Sequence, residues 1–136
     1  MAALTSDRNT PEKEGVMRHV GVAATAVCRA GGIACRNATG YATPGATATT
    51  LKALGRFEET VDNASGADGA VTVPIKKGVF RFANSAAADE ITAADIGNDC
   101  YIVDDQTVAK TDGTATRSIA GKVYDVDAQG VWVAFG

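Results

Sequence analysis

The stretches VTVPIKKGVFRFA at residues 71–83 and IAGKVYDVDAQGVWVAF at residues 119–135 decide the fold class of this chain. Both consist of short runs of β-branched and aromatic residues interrupted by turn residues, Lys77-Gly78 in the first and Gln129-Gly130 in the second. Runs of this kind recurring about every eight to twelve residues are typical of a small all-β barrel or sandwich. We therefore predict a mainly β domain.

The first stretch is the strongest hairpin signal in the chain. Val71 to Ile75 and Val79 to Ala83 flank Lys76-Lys77-Gly78, so we expect the two runs to pair with each other and build the main core, in which Phe82 is buried. Pro74 lacks a backbone N–H and favours an edge position for its strand.

The rest of the chain predicts one short helical turn and an extended N-terminal arm. Thr92 can cap a turn in which Asp95 follows three residues later, and Gly97 would end it. Residues 1–15 are polar and show no helical or strand periodicity, which is typical of a flexible arm. The length of 136 residues suits a single domain. We expect the arm at 1–15 and the β-domain at 16–136.

The charges are unevenly distributed along the chain. Residues 15–56 contain no acidic residue, whereas acids outnumber cations by thirteen to six in residues 57–136. The cations of the first segment are candidate partner-binding residues: Arg18, Arg29, Arg36, Lys52 and Arg56. Such a bipolar distribution favours docking to another protein or to further copies, because complementary charges orient an encounter. The alternative is that these cations only solvate one face of a sheet.

Nucleic acid and membrane are not expected partners. Tyr41 is the only aromatic residue in the basic segment, whereas nucleic-acid binding favours basic residues interleaved with aromatic ones. No run approaches the roughly 18 apolar residues of a membrane-spanning helix.

The three cysteines, Cys28, Cys35 and Cys100, lack the CxxC spacing of metal sites. If Gly31-Gly32 formed a two-residue hairpin turn, Cys28 and Cys35 would lie opposite each other, and a disulfide would be geometrically possible. The alternative is a set of buried free thiols.

The residue types that catalyse reactions or bind metals are isolated from one another. The only histidine, His19, has no acidic residue after it before Glu58, so it lacks the partner of a catalytic triad. Asp104 and Asp105 suit a turn. Residues 125–130 resemble the opening of a calcium loop, but its twelfth position is Gly136, where a bidentate Glu is needed, so we predict a tight hairpin. We therefore expect no catalytic residue, no bound metal and no cofactor, and we expect that the protein is not an enzyme.

The single tryptophan, Trp132, lies in the hydrophobic final run. A tryptophan in this setting usually belongs to a core or a subunit interface. The alternative is an exposed ring that stacks on a sugar, as in a carbohydrate-binding module.

Several segments together resemble the decoration, or cement, proteins of tailed-bacteriophage capsids, small proteins encoded next to the major head protein. The resemblance rests on the arm residues Asp7, Arg8, Asn9 and Thr10, on Thr39-Gly40-Tyr41, on LGRFEETVDN (54–63), VTVPIKKGVFRFAN (71–84), ITAADIGNDCYIVDD (91–105) and QTVAKTDGT (106–114), and on the terminal DVDAQGVWVAF (125–135). These motifs carry no chemistry, so the match is one of pattern and order.

The resemblance implies a structural virion protein. Its copies would bind the outside of the capsid at junctions between major capsid subunits and stabilise the shell after assembly in the host cytoplasm. The expected partners are the major capsid protein and further copies of the chain, with a trimer favoured over a dimer. The arm residues Asp7, Arg8, Asn9 and Thr10 join the five cations as candidate contacts. The alternative function is a small ligand-binding β-module, either carbohydrate-binding or associated with a phage tail.

Overall fold

The computed structural model describes residues 2–11, 13 and 15–136. Within them the chain forms twelve strands and two short 3₁₀ turns, at Ala87–Asp89 and Ala93–Asp95. The strands are β1 (Met17–Gly21), β2 (Val27–Cys28), β3 (Ile33–Arg36), β4 (Ala42–Pro44), β5 (Lys52–Phe57), β6 (Val61–Asp62), β7 (Thr72–Lys76), β8 (Val79–Phe82), β9 (Asp99–Ile102), β10 (Val108–Ala109), β11 (Ile119–Asp127) and β12 (Gly130–Ala134). The predicted all-β fold is confirmed.

Two five-stranded antiparallel sheets make up most of the domain. The first sheet has the order β1-β7-β5-β3-β4, and the second has the order β10-β9-β11-β12-β8. In each sheet a single parallel bridge joins the two edge strands near their ends, Val22 to Ala42 in the first and Ala83 to Thr107 in the second. Each sheet therefore curls toward a small barrel. Strands β2 and β6 form a separate two-stranded sheet.

The buried side chains form two clusters. The first-sheet core consists of Val20, Val22, Cys28, Ala34, Ala42, Phe57, Val73 and Ile75. The second-sheet core consists of Ile33, Cys35, Phe82, Ile91, Cys100, Ile102, Val108, Ala120, Val123, Val131, Val133 and Phe135. Strand β3 belongs to both, because successive side chains of a strand point to opposite faces. It contributes Ala34 to the first-sheet core, and Ile33 and Cys35 to the second.

The predicted hairpin between residues 71–75 and 79–83 is wrong. Strand β7 pairs with β1 and β5 in the first sheet, whereas β8 pairs with β12 in the second. The segment Lys76-Lys77-Gly78 is therefore the crossing between the two sheets. Phe82 is buried as predicted, but in a different core from Val73 and Ile75.

The predicted edge position of Pro74 is also wrong, since β7 lies between β1 and β5. The Pro74 carbonyl accepts the backbone N–H of Glu58, the first residue after β5. The missing N–H of Pro74 thus falls where the pairing with β5 ends, and a central strand tolerates the proline there.

All three cysteines are free and buried. A turn does form at residues 29–32, where the Gly32 N–H donates to the Arg29 carbonyl, but it does not join paired strands. Cys28 lies on β2, which pairs with β6, and Cys35 lies on β3, which pairs with β4 and β5. The hairpin that would have placed the two thiols opposite each other is therefore absent, and the expectation of buried free thiols is confirmed.

Three of the predicted turns are confirmed. The Asp95 carboxylate accepts the Thr92 N–H at 2.9 Å, and Gly97 follows the turn with φ +94°. Asp104 Oδ1 accepts the Gln106 N–H. Asp127 Oδ1 accepts the N–H groups of Gln129 and Gly130, and so closes the β11–β12 hairpin. Among the described residues, no helix is long and apolar enough to cross a membrane.

Candidate functional site

The described part of the N-terminal segment is exposed and forms no helix or strand before β1. Arg8 Nη1 donates to Thr10 Oγ1 at 3.0 Å, and the Thr10 N–H donates to the Arg8 carbonyl. Asp7 and Asn9 are exposed beside them. The part of the arm prediction that falls on Met1, Glu12 and Glu14 lies outside the described residues. The partner-binding role of Asp7, Arg8, Asn9 and Thr10 stays a prediction.

A basic cleft of about 620 Å³ opens where the arm meets β1. It is lined by Lys13, Gly15, Met17, Arg18, His19 and Arg36. Met17, Arg18 and His19 are the exposed first residues of β1. We call this surface the basic cleft. Two of the five predicted cations, Arg18 and Arg36, meet there.

Lys52 extends the same surface, because it lies opposite Arg36 in the register of β3 and β5. Arg36 is held in place by a hydrogen bond of 2.6 Å from its Nη1 to the Gly40 carbonyl. Like charges on directly opposed residues destabilise a sheet by a fraction of a kcal/mol. An anionic group bound between Arg36 and Lys52 would relieve this repulsion.

The other two predicted cations lie elsewhere. Arg29 borders a different groove, with Gly32, Asp105 and Gln106. Arg56 is held by Glu58, with 2.7 Å between Arg56 Nε and Glu58 Oε2, and its guanidinium lies 4.1 Å from the centre of the Phe80 ring. The hydrogen bond from Arg56 lowers the pKa of Glu58 below its usual value. The five cations therefore do not form one continuous strip.

Trp132 lies on the outer face of β12, while its neighbours Val131 and Val133 are buried. The indole Nε1–H donates to Asp127 Oδ2 at 2.8 Å, and the Arg81 guanidinium lies 5.5 Å from the ring centre. The hydrogen bond from Trp132 is the main cause that lowers the pKa of Asp127. Trp132 is therefore not part of the core, and of the two predicted positions, core or subunit interface, the interface stays a prediction.

A second groove of about 580 Å³ runs beside Trp132 and Arg56, between β8 and the end of the first sheet. It is also lined by Lys76, Phe80 and Arg81, which the sequence reasoning did not single out. The alternation of Phe80 and Phe82 with Val79 and Arg81 could have placed Arg81 on an outer face. Lys76 lies near the start of β8 because only Lys77 and Gly78 separate them, whereas no local signal could have brought Arg56 next to β8, because Arg56 belongs to β5 of the other sheet.

The acidic, histidine and cysteine side chains of the described residues lie apart from one another. Within residues 2–11, 13 and 15–136, no group of three His, Cys, Asp or Glu side chains could hold a metal ion. Burial raises the pKa of Cys28 to about 11 and that of Cys35 and Cys100 to about 12. These thiols therefore stay protonated near neutral pH.

Comparison of the chain with protein-family models, with curated proteins and with solved structures finds no match.

Proposed function

We propose that the chain is a structural virion protein that binds the outer surface of a phage capsid at junctions between major capsid subunits and stabilises the shell. The observation that carries the proposal is the position of the arm. Its exposed residues 2–11 lead through Lys13 into the basic cleft at the start of β1. One partner subunit can thus contact an extended segment and a folded cationic surface together.

The charges of the basic cleft suit an acidic surface on the shell. Arg18, Arg36 and Lys52 take part in none of the ion pairs formed among the described residues. Because the screening length falls from about 10 Å at 0.1 M salt to about 3 Å at 1 M, attachment through these exposed cations should weaken as salt is added.

Stabilisation would arise from the number of copies. A copy, or a trimer of copies, that bridges several major capsid subunits adds contacts that must all break before those subunits separate. Each individual contact can then be weak.

The proposal is tested with emptied, expanded phage shells assembled from a major capsid protein. Purified protein is mixed with the shells, and the bound fraction is measured by sedimentation at several salt concentrations. We expect saturable, salt-sensitive binding, and shells that resist heat better once saturated. Absence of binding would refute the proposal.

Two variants assign the attachment to the arm and the basic cleft. Deletion of residues 1–15 and the double substitution Arg18→Gln/Arg36→Gln should each weaken attachment while the domain stays folded. Lys122→Gln, which removes one positive charge from the second sheet, serves as the control for a change of charge outside the basic cleft. If the deleted protein saturated shells with unchanged affinity, the arm would have no role.

A second candidate function is carbohydrate binding at Trp132, because its ring is partly exposed on an outer face. Since Trp132 is the only tryptophan, its fluorescence would report a sugar directly. A saturable emission change with oligosaccharides, absent from Trp132→Ala, would favour this function over shell attachment.

A further inference from the structure

Strand β8 has an open edge. It pairs with β12 in an antiparallel register in which Phe80 lies opposite Val133 and Arg81 opposite Trp132. The Phe135 N–H donates to the Gly78 carbonyl, so Gly78, Phe80 and Phe82 are the residues whose backbone groups face β12, because hydrogen-bonded pairs alternate along an antiparallel ladder. The N–H and C=O groups of Val79 and Arg81 must then point away from β12.

Ala83, two residues after Arg81, shows that the backbone groups of these alternate residues point away from β12. Ala83 donates its N–H to the Gln106 carbonyl and accepts the Val108 N–H, on the side away from β12. Beyond Ala83 the edge is therefore covered by the segment around β10. At Val79 and Arg81 no backbone partner is found among the described residues, and both residues line the groove beside Trp132.

The groove combines this open backbone with positive charge. Arg56, Lys76 and Arg81 line it together with Phe80 and Trp132. Glu58 holds Arg56, whereas Asp127 approaches Arg81 only to 4.0 Å. Lys76 takes part in no ion pair among the described residues. The groove can therefore accept further negative charge.

We propose that the β8 edge binds an acidic, extended peptide segment of a partner protein as an additional strand. The backbone of the segment would pair with Val79 and Arg81, and its carboxylates would meet Lys76 and Arg81. Strand addition of this kind takes affinity from main-chain hydrogen bonds and specificity from alternate side chains. The site shares no residue with the basic cleft, so the inference does not rest on shell attachment.

A peptide is favoured over other anions by the backbone geometry. Val79 and Arg81 both direct their backbone groups away from β12. Together they offer two N–H donors and two C=O acceptors, spaced as in a paired β-strand. A carbohydrate or a nucleic acid has no matching row of alternating donors and acceptors. An unpaired edge is also a liability that proteins usually cover, and along β8 the section from Val79 to Arg81 has no covering backbone among the described residues.

The test uses a capped heptapeptide of alternating glutamate and valine, added to the full chain. Binding is followed through Trp132 fluorescence and through the NMR shifts of the Val79 and Arg81 amides. We expect saturable binding that shifts both amides. The same peptide, N-methylated at the amides that would face β8, should lose most of its affinity, because each lost hydrogen bond weakens binding by up to about tenfold.

Variants of the protein distinguish the contribution of backbone hydrogen bonds to peptide affinity from that of the charged side chains. Val79→Pro removes the N–H that faces the groove and leaves the pairing of Phe80 and Phe82 with β12 in place, so the affinity should fall. Lys76→Gln/Arg81→Gln keeps the backbone and should reduce the affinity by about fivefold or more. Lys122→Gln should change nothing. Failure of the peptide to bind, equal binding of the N-methylated peptide, or binding only of an oligosaccharide or single-stranded DNA would each overturn the proposal.

Discussion

The two cores of the domain differ in the size of their side chains, although strand β3 contributes residues to both. The second-sheet core contains the rings of Phe82 and Phe135, which meet edge to face with 5.9 Å between their centres. The first-sheet core has a single ring, Phe57, among three valines, two alanines, one isoleucine and one cysteine. Small side chains bury little area each, so this half depends more on close backbone approach and on buried hydrogen bonds.

Two features of the first sheet show this dependence. Gly55 has φ +153°, and a Cβ there would lie 2.1 Å from the Lys76 carbonyl oxygen, so β5 and β7 approach too closely for a side chain. The buried Asn63 amide donates to the carbonyls of Val22, Ala23 and Ala67. The second-sheet half is therefore held by aromatic packing, and the first-sheet half by polar contacts with the backbone.

The largest effect is expected in the second-sheet core. Phe82→Ala should lower the free energy of unfolding by about 3–5 kcal/mol, because it removes a buried ring and leaves a cavity against Phe135. Urea unfolding at 25 °C measures the loss. Tyr124→Ala, at a side chain that is 64 % exposed, should stay within about 0.5 kcal/mol of the wild type. Equal stabilities of the two variants would contradict the stabilising role of aromatic packing in the second-sheet core.

A smaller loss is expected from the polar support of the first-sheet core. Asn63→Ala should cost about 2–3 kcal/mol, because buried carbonyls lose their donor. The same unfolding experiment measures it. Asn98→Ala, at an exposed side chain without a hydrogen bond among the described residues, is the matched control. An unchanged midpoint for Asn63→Ala would show that the first-sheet core does not depend on this amide.

A pH titration tests the outer face of the second sheet. The pKa of Asp127 in the folded state is lowered below the ordinary Asp value of 3.8. The hydrogen bonds of the Asp127 carboxylate therefore stabilise the fold above pH 3.8. This stabilisation is lost as the pH falls through the lower pKa of the folded state. The emission of Trp132 should therefore change with a midpoint below 3.8. Asp127→Asn should abolish the transition, and a midpoint above 3.8 would contradict the assignment.

The smallest effect is expected in the alkylation rates of the three thiols, which report local opening of both cores in one molecule. Alkylation of the native protein, followed by peptide mass spectrometry, should modify Cys28 before Cys35 and Cys100. Cys28 lies on the two-residue strand β2, and such small units open locally at low cost. Cys35 and Cys100 lie in the second-sheet core. Faster modification of Cys35 or Cys100 would indicate that the second-sheet core is the less stable half.

Features that depend on neighbouring residues were predictable from the sequence. The cap at Thr92, the Asp104 turn and the β11–β12 hairpin closed by Asp127 are all present, because a side chain bonds the backbone two or three residues away. The exposed arm residues were recognisable for a similar reason, since a polar segment without periodicity has no apolar face to bury.

The candidate site was predictable only in part. A charge count singled out Arg18, Arg36 and Lys52, which the fold brings together, but also Arg29 and Arg56, which it places elsewhere. The alternation of Trp132 with Val131 and Val133 did not show which of the two faces of the strand is buried. In the structure the Trp132 ring lies on the outer face, where its Nε1–H donates to Asp127.

Propensity, turn chemistry and composition are local properties, so the all-β class, the turns at Thr92, Asp104 and Asp127 and the segregation of charge could be recognised in the amino-acid sequence. Long-range packing places β7 and β8 in different sheets, places Cys28 and Cys35 in different cores, and brings Arg56 into one groove with Lys76 and Arg81. The physical reason is that any alternating run can pair with many others through the same backbone hydrogen bonds. The choice among them is made by the burial of side chains from strands far apart in the chain.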